Sequence, residues 1–147
     1  MIAHVCNNAQ LMIKILLTII LILISSSAYA YEWQILRVID GDTIEIKNEC
    51  FPKELKLSVR VLGIDTPEKG LKSKCNKEAK LAEKASNFTK QFVGKNKTAT
   101  FKNIKWDKYG GRLLADVEIN GKNLAGELVK NNYARLYDGK KKGSWCE

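Results

Sequence analysis

From Glu32 to Lys47 apolar and polar residues alternate and β-branched types dominate, with one break at Asp40-Gly41-Asp42, where an Asp-Gly pair marks a turn or bulge. The pattern predicts a hairpin of two strands. A loop follows over Asn48 to Lys53, which holds Pro52, and Leu55 to Ile64 alternates again as a third strand, stopping at Asp65-Thr66-Pro67-Glu68. Lys69 to Lys74, with Gly70 and several lysines, predicts a mobile loop. From Cys75 to Val93 the period changes. Ala79, Ala82, Ala85, Phe88 and Phe92 recur near helical spacing among good helix formers, which predicts an amphipathic helix of about five turns. Thr98 to Lys105 is a fourth strand and Trp106 to Gly111 a loop whose two glycines permit unusual backbone angles. Arg112 to Ile119 is a fifth strand, closed by the Asn120-Gly121 turn. Asn123 to Val129 predicts a short helix with Asn123 in the capping position, and Asn131 to Glu147 is polar and aromatic without a clear period.

The order β-β-β-α-β-β-α, with short strands and one long helix between the third and fourth, predicts an α+β, mainly β domain: a five-stranded Greek-key barrel of the OB type with one long and one short helix. Such barrels commonly bind oligonucleotides, but a fold does not dictate a function, so the site must carry the case.

The first 30 residues differ from the rest. They contain a single basic residue, Lys14, and no acidic one, then an apolar run from Ile15 to Ile24 followed by Ser25-Ser26-Ser27 and Ala28-Tyr29-Ala30. That is the layout of a signal peptide cut after Ala30. A retained anchor would need about 20 apolar residues, more than this run supplies. Met12, just ahead of Lys14, offers a second start. Residues 31–147 then form one domain, long enough for one modest core. The protein is expected to be exported, either secreted or periplasmic.

The whole chain of 147 residues carries 25 Lys and Arg against 16 Asp and Glu, a formal +9, which favours a polyanionic partner. Three cysteines follow the leader, Cys50, Cys75 and Cys146, so export predicts one disulfide and one leftover thiol. No CxxC pair occurs, and the only histidine, His4, lies in the leader. Both features argue against structural zinc and histidine-based catalysis.

Asp40, Asp42, Asp65 and Glu68 all fall at strand ends or turns. Hard cations such as calcium take carboxylate and carbonyl oxygens gathered from separate elements, and Asp42 and Asp65 are the natural pair. Each alone is an ordinary turn residue. Arg60 changes the weighing, because it sits inside an apolar strand at Val59-Arg60-Val61, five residues before Asp65. A charge so placed needs a partner or a purpose. Arg112 opens another apolar strand directly after a glycine turn. Two guanidinium groups aimed at one spot can hold a phosphodiester and stabilise the added charge of a pentacoordinate transition state.

Three segments in order, Ile39-Asp40-Gly41-Asp42-Thr43, Val59 to Glu68 (VRVLGIDTPE) and Asp107 to Ala115 (DKYGGRLLA), resemble the thermonuclease family typified by staphylococcal nuclease. The likeness runs over about residues 33–138. It implies a calcium-dependent endonuclease that cleaves DNA and RNA by water attack, leaving 3′-phosphates. Asp42, Asp65 and the carbonyl of Thr66 would hold Ca2+, Arg60 and Arg112 would grip the phosphate, and Glu68 would orient or deprotonate the water. Lys108, Tyr109 and Tyr137 match positions that contact the nucleotide, and Asp40 would support the metal shell from behind.

One departure is Gly111, which adds a residue between Tyr109-Gly110 and Arg112 relative to the family pattern. A disulfide from Cys146 would pin the tail, with Cys75 the preferred partner and Cys50 the alternative. Expected partners are single-stranded DNA and RNA, with double-stranded DNA cut less readily, since a site with few base-reading groups sees mainly backbone and aromatic faces favour unpaired strands. The protein would act as a monomer without stable membrane association after cleavage. The competing class is a non-catalytic OB-fold nucleic-acid-binding module. The set Asp42, Arg60, Asp65, Glu68 and Arg112 argues against it, because carboxylates repel phosphate and binding alone has no use for them.

Overall fold

The computed structural model of the chain describes residues 12, 14–16, 30–47, 52, 56–95 and 97–147. The expected signal peptide lies almost wholly outside these residues, and Cys50 lies outside them too. Among the described residues no helix is long and apolar enough to cross a membrane.

Alternating sequences become the staves of a barrel. Strands β1 (Tyr31–Val38), β2 (Thr43–Lys47) and β3 (Leu57–Val61) form an antiparallel meander, and β5 (Thr98–Trp106) and β6 (Arg112–Ile119) form a second antiparallel pair. β1 joins the two groups by pairing antiparallel with β5, and the sheet closes where β3 runs parallel to β6, from Ser58 opposite Arg112 to Val61 opposite Ala115. Closure removes the free edges that an open sheet would leave. In β6 the alternation is complete: Leu113, Ala115, Val117 and Ile119 point into the core while Arg112, Leu114, Asp116 and Glu118 stay partly solvated. Phe101, Ile35, Ile44, Ile46, Val59 and Val61 fill the interior from the other strands. The five-stranded mixed barrel with its helices is the OB-type architecture expected from the order of elements.

The run expected as a single third strand, Leu55 to Ile64, is divided. β3 ends at Val61, Leu62 and Gly63 turn, and the two-residue strand β4 (Ile64–Asp65) leaves the barrel to pair with β8 (Arg135–Leu136). Gly63 takes φ +77°, a left-handed conformation open to glycine at little cost. The chain carries no polar residue through the turn, Val61-Leu62-Gly63-Ile64, that would mark the break, yet the turn swings Asp65 back beside Arg60. The lysine-rich segment before the long helix, expected as a mobile loop, holds a single 3-10 turn over Gly70–Lys72.

The long helix α1 (Asn76–Val93) is capped by the Cys75 side chain, which accepts the Glu78 amide, and ends at Gly94. Its buried stripe is Glu78, Ala82, Ala85, Ser86, Thr89 and Val93, rotated away from Phe88 and Phe92. Small residues line this stripe because a loop must come close. An added Cβ on Gly41 would lie 2.9 Å from Ala85 Cβ and 3.1 Å from Thr66 Cγ2, and the Thr89 hydroxyl donates to the Gly41 carbonyl at 2.7 Å. The phenylalanines pack sideways instead, Phe88 on Phe92 and on Tyr133 beyond the short helix α2 (Leu124–Lys130). α2 follows the two-residue strand β7 (Lys122–Asn123), and the Asn123 side chain caps it by accepting the Gly126 amide at 2.8 Å.

Candidate active site

Barrel register brings the sequence-distant carboxylates together. Thr43 stands opposite Arg60 in the β2–β3 pair, and the Val61 amide donates to the Asp42 carbonyl at 2.8 Å, so Asp42, just ahead of β2, is clamped beside the arginine of β3. The turn at Leu62-Gly63 returns Asp65 from the other side. As a result the Arg60 guanidinium Nη2 lies 2.7 Å from Asp42 Oδ2 and 3.2 Å from Asp65 Oδ1, and 3.5 Å from the Ile64 carbonyl. Both aspartates are buried, at 1 % and 5 % exposure, and Thr66 is buried next to them.

Their partners differ. Asp42 Oδ1 accepts the Thr43 hydroxyl at 3.0 Å, whereas Oδ2 is buried with the Arg60 charge close by but no hydrogen bond. Burial pushes the Asp42 carboxyl up to about 7 against the pull of Arg60, and the neighbouring Asp40 carboxylate adds to the push. Asp40 stays at the edge, and its carboxylate accepts the Asp42 amide at 3.2 Å. Two buried carboxylates, a buried carboxylate oxygen without a hydrogen bond and an excess of negative charge make a donor set that fits a hard divalent cation. By contrast, the cluster Cys75, Glu78 and Cys146 does not. Its two cysteines are joined as a disulfide, with Cα atoms 5.9 Å apart, so they offer no thiolate.

Glu68 follows Thr66-Pro67 at the rim. Its loop is held by Glu78, a carboxylate buried at the start of α1 that accepts the Glu68 amide at 3.2 Å and the Lys74 amide at 2.7 Å, while the Ser73 hydroxyl donates to the Glu68 carbonyl at 2.6 Å. Its own carboxylate meets Lys142 Nζ at 2.6 Å, and the same ammonium lies 2.8 Å from Asp65 Oδ1. Burial alone would lower the Lys142 pKa, but hydrogen bonds and charge from Asp65 and Glu68 outweigh it and raise it above the usual lysine value.

Arg112 lies across a cavity of about 610 Å³ that Arg60, Glu68, Tyr109 and Tyr137 also line. Its Nε and Nη2 both donate to Asp107 Oδ2, at 2.8 and 2.5 Å. The extra glycine is absorbed locally: Gly110 and Gly111 take φ +70° and +65°, and the Asp107 amide donates to the Arg112 carbonyl at 2.9 Å, closing the loop. Burial pushes the Asp107 carboxyl up, but hydrogen bonds and charge from Arg112, with the Tyr109 and Lys108 amides, hold it below the usual carboxylate value. Tyr109 and Trp106 stand exposed on the same wall, Lys108 lies over the Tyr109 ring, and the Tyr137 hydroxyl donates to the Lys140 carbonyl at 3.1 Å. All nine of the expected site residues thus lie at one mouth of the barrel or directly beneath it.

Five residues of the site are not marked by the sequence pattern as site residues: Glu78, Trp106, Asp107, Lys142 and Trp145. The Trp145 indole donates to Asp65 Oδ2 at 3.3 Å while Arg135 stacks 3.8 Å above its ring. Asp107 could have been found, since it stands five residues before Arg112 as Asp65 does after Arg60. Lys142 sat in a lysine run that resembles any solvated face, and nothing local marked it.

The fold and site together define an OB-type barrel with a carboxylate and guanidinium cluster at its mouth. A family model described as staphylococcal nuclease homologue matches residues 58–144, and the chain belongs to that family. It is 38 % identical over 102 residues to Endonuclease YncB of Bacillus subtilis (strain 168), which covers 68 % of this chain and 45 % of that protein. It is 37 % identical over 102 residues to SPbeta prophage-derived endonuclease YokF of the same organism, covering 68 % and 32 %, and 32 % identical over 112 residues to its Endonuclease YhcR, covering 73 % and 9 %. The chain therefore matches less than half the length of each of these relatives.

Proposed function

We propose that this chain is an exported, calcium-dependent endonuclease that hydrolyses phosphodiester bonds of DNA and RNA by attack of water, leaving 3′-phosphate ends. The observation that carries the reading is the meeting of Arg60 with the buried Asp42 and Asp65 beneath a cavity walled by Arg112, Tyr109 and Tyr137. The relatives named above as endonucleases support it. Calcium held by Asp42, Asp65 and the Thr66 carbonyl would neutralise charge on a phosphoryl oxygen.

The remaining work falls to this chain's own groups. Arg60 and Arg112 bind the phosphodiester from two walls and stabilise the charge that grows as phosphorus becomes pentacoordinate. Asp107, by fixing Arg112, keeps that fork from wandering over solvent. Glu68 stands where it can orient a water for in-line attack and take its proton, with the 5′ oxygen leaving on the far side. Exposed Tyr109 and Trp106 give stacking faces for unpaired bases, and the site has few groups that could read one base from another. Export is supported by the apolar run ahead of Ala28-Tyr29-Ala30.

Incubating the protein with labelled single-stranded DNA and RNA, in calcium or in chelator, tests the reading through end-group analysis of the fragments. Calcium-dependent cleavage to 3′-phosphates is expected. Full activity in chelator would remove the metal assignment, and 5′-phosphate ends would reverse the direction of attack.

A further inference from the structure

The tail that carries Trp145 and Cys146 delivers an ammonium group to the carboxylates, and the mechanism above gives that group no task. Lys142 Nζ contacts Asp65 Oδ1 and Glu68 Oε1 at 2.8 and 2.6 Å. The other Asp65 oxygen, Oδ2, already accepts the Trp145 indole N–H. Oδ1 is therefore the oxygen that remains to face a ligand, and Lys142 sits on it together with Arg60.

This lysine is held in place from both sides. Behind it the Lys140 carbonyl accepts the Tyr137 hydroxyl and the Lys140 amide donates to Asp138. Ahead of it the Ser144 carbonyl accepts Arg135 at 2.5 Å, and Cys146 is bonded to Cys75 at the head of α1. A side chain anchored within three or four residues on each side has a high effective concentration at its partners. Its neighbours in the lysine run are placed differently: Lys140 pairs with Asp138 at 3.4 Å, and Lys141 makes no ion pair among the described residues.

We infer that Lys142 is an internal cation that competes with the divalent ion for Asp65, held there by its second contact with Glu68 in the metal-free site and giving way when the ion binds. The inference rests on the metal reading of Asp42 and Asp65 given above. An ammonium and a divalent cation on one carboxylate oxygen repel each other at short range, so each occupancy weakens the other. Lys142 thereby helps set the calcium concentration at which the site fills, and in the metal-free protein it adds to the charge that Arg60 already supplies to Asp65 and neutralises Glu68 beside it.

Calorimetric titration of calcium into the purified protein and its Lys142→Met, Lys142→Gln and Lys141→Met variants tests this without any turnover measurement. Both Lys142 variants should bind calcium roughly three- to tenfold more tightly, the range expected for losing a half-buried competing ion pair. Lys141→Met loses the same charge without the contact and should shift affinity by less than about twofold, because solvent and salt screen it. Equal tightening in Lys141→Met and Lys142→Met would reduce the effect to net charge and overturn the inference. Unchanged affinity in the Lys142 variants would overturn it while leaving the metal site standing, and no calcium binding by any of the proteins would overturn both.

Discussion

Replacing Arg60 by Gln removes the one charge that two buried carboxylates share. Asp42 and Asp65 lie 2.7 and 3.2 Å from its guanidinium. Without it Asp42 keeps only the Thr43 hydroxyl and the repulsion of Asp40, while Asp65 keeps Trp145 and Lys142. Breaking a buried ion pair by deleting one partner costs about 3–5 kcal/mol, and because the Arg60 side chain is still 14 % exposed the low end applies, about 3 kcal/mol. The expected result in chelator at pH 8 is a loss of that size in urea unfolding followed by tryptophan fluorescence. Calcium should return part of it, because the ion and Arg60 neutralise the same oxygens and the variant gains more from binding than the parent does. A ligand at a hundredfold its Kd contributes about 2.7 kcal/mol, enough to see. Turnover should not return: loss of a principal transition-state contact costs on the order of 10²–10³ in kcat even in saturating calcium. A variant as stable as the parent in chelator, or one whose deficit is the same with and without calcium, would refute the idea that arginine and metal share these carboxylates.

Asp107→Asn should lower kcat by about tenfold to a hundredfold by loosening Arg112, with little change in calcium affinity measured by titration. Because the folded carboxyl of Asp107 is held low, its contribution to stability is present above the unfolded value of about 4 and is lost as pH falls through the folded one. The variant should therefore show a shallower loss of stability below about pH 4 in acid titration than the parent. Removing the disulfide by Cys75→Ser/Cys146→Ser opens a loop with a sequence separation of 71, worth about 4 kcal/mol in the chain-entropy account, and should lower Tm by roughly 15 °C. A Tm unchanged in both the variant and the reduced parent would contradict the pairing. Gly41→Ala should cost about 1–3 kcal/mol by overpacking against Ala85 and Thr66, and should depress turnover with it, since the displaced loop carries Asp42.

The elements themselves were legible because they answer to local rules. Alternation marked the strands, helical spacing marked α1, and Asn123 announced the start of α2. The division of the third strand was not legible, because Val61-Leu62-Gly63-Ile64 holds no polar residue to mark a turn, while the chain turns there at Gly63 and passes its hydrogen bonding from β6 to the segment that carries Tyr137. Helical spacing marked Ala79, Ala82, Ala85, Phe88 and Phe92 as the apolar stripe of α1, whereas the buried stripe keeps Ala82 and Ala85 and turns toward Ser86, Thr89 and Val93. Its true direction depends on how closely the Asp40-Gly41-Asp42 loop must approach, a distance no single element contains.

What the sequence by itself determined is the inventory: which carboxylates stand at strand ends, which arginines interrupt apolar strands, and in what order they come. Those facts are local and survive any arrangement of the chain. The tertiary structure alone decided who meets whom. Barrel register places Asp42 on Arg60, the β3–β4 turn brings Asp65 to the same guanidinium, and closure of the tail onto Cys75 carries Lys142 to Asp65 and Glu68 across separations of 77 and 74 residues. Contacts over such distances depend on the summed geometry of every element between them, which is why one lysine of three in a row could not be told from its neighbours until the barrel had closed.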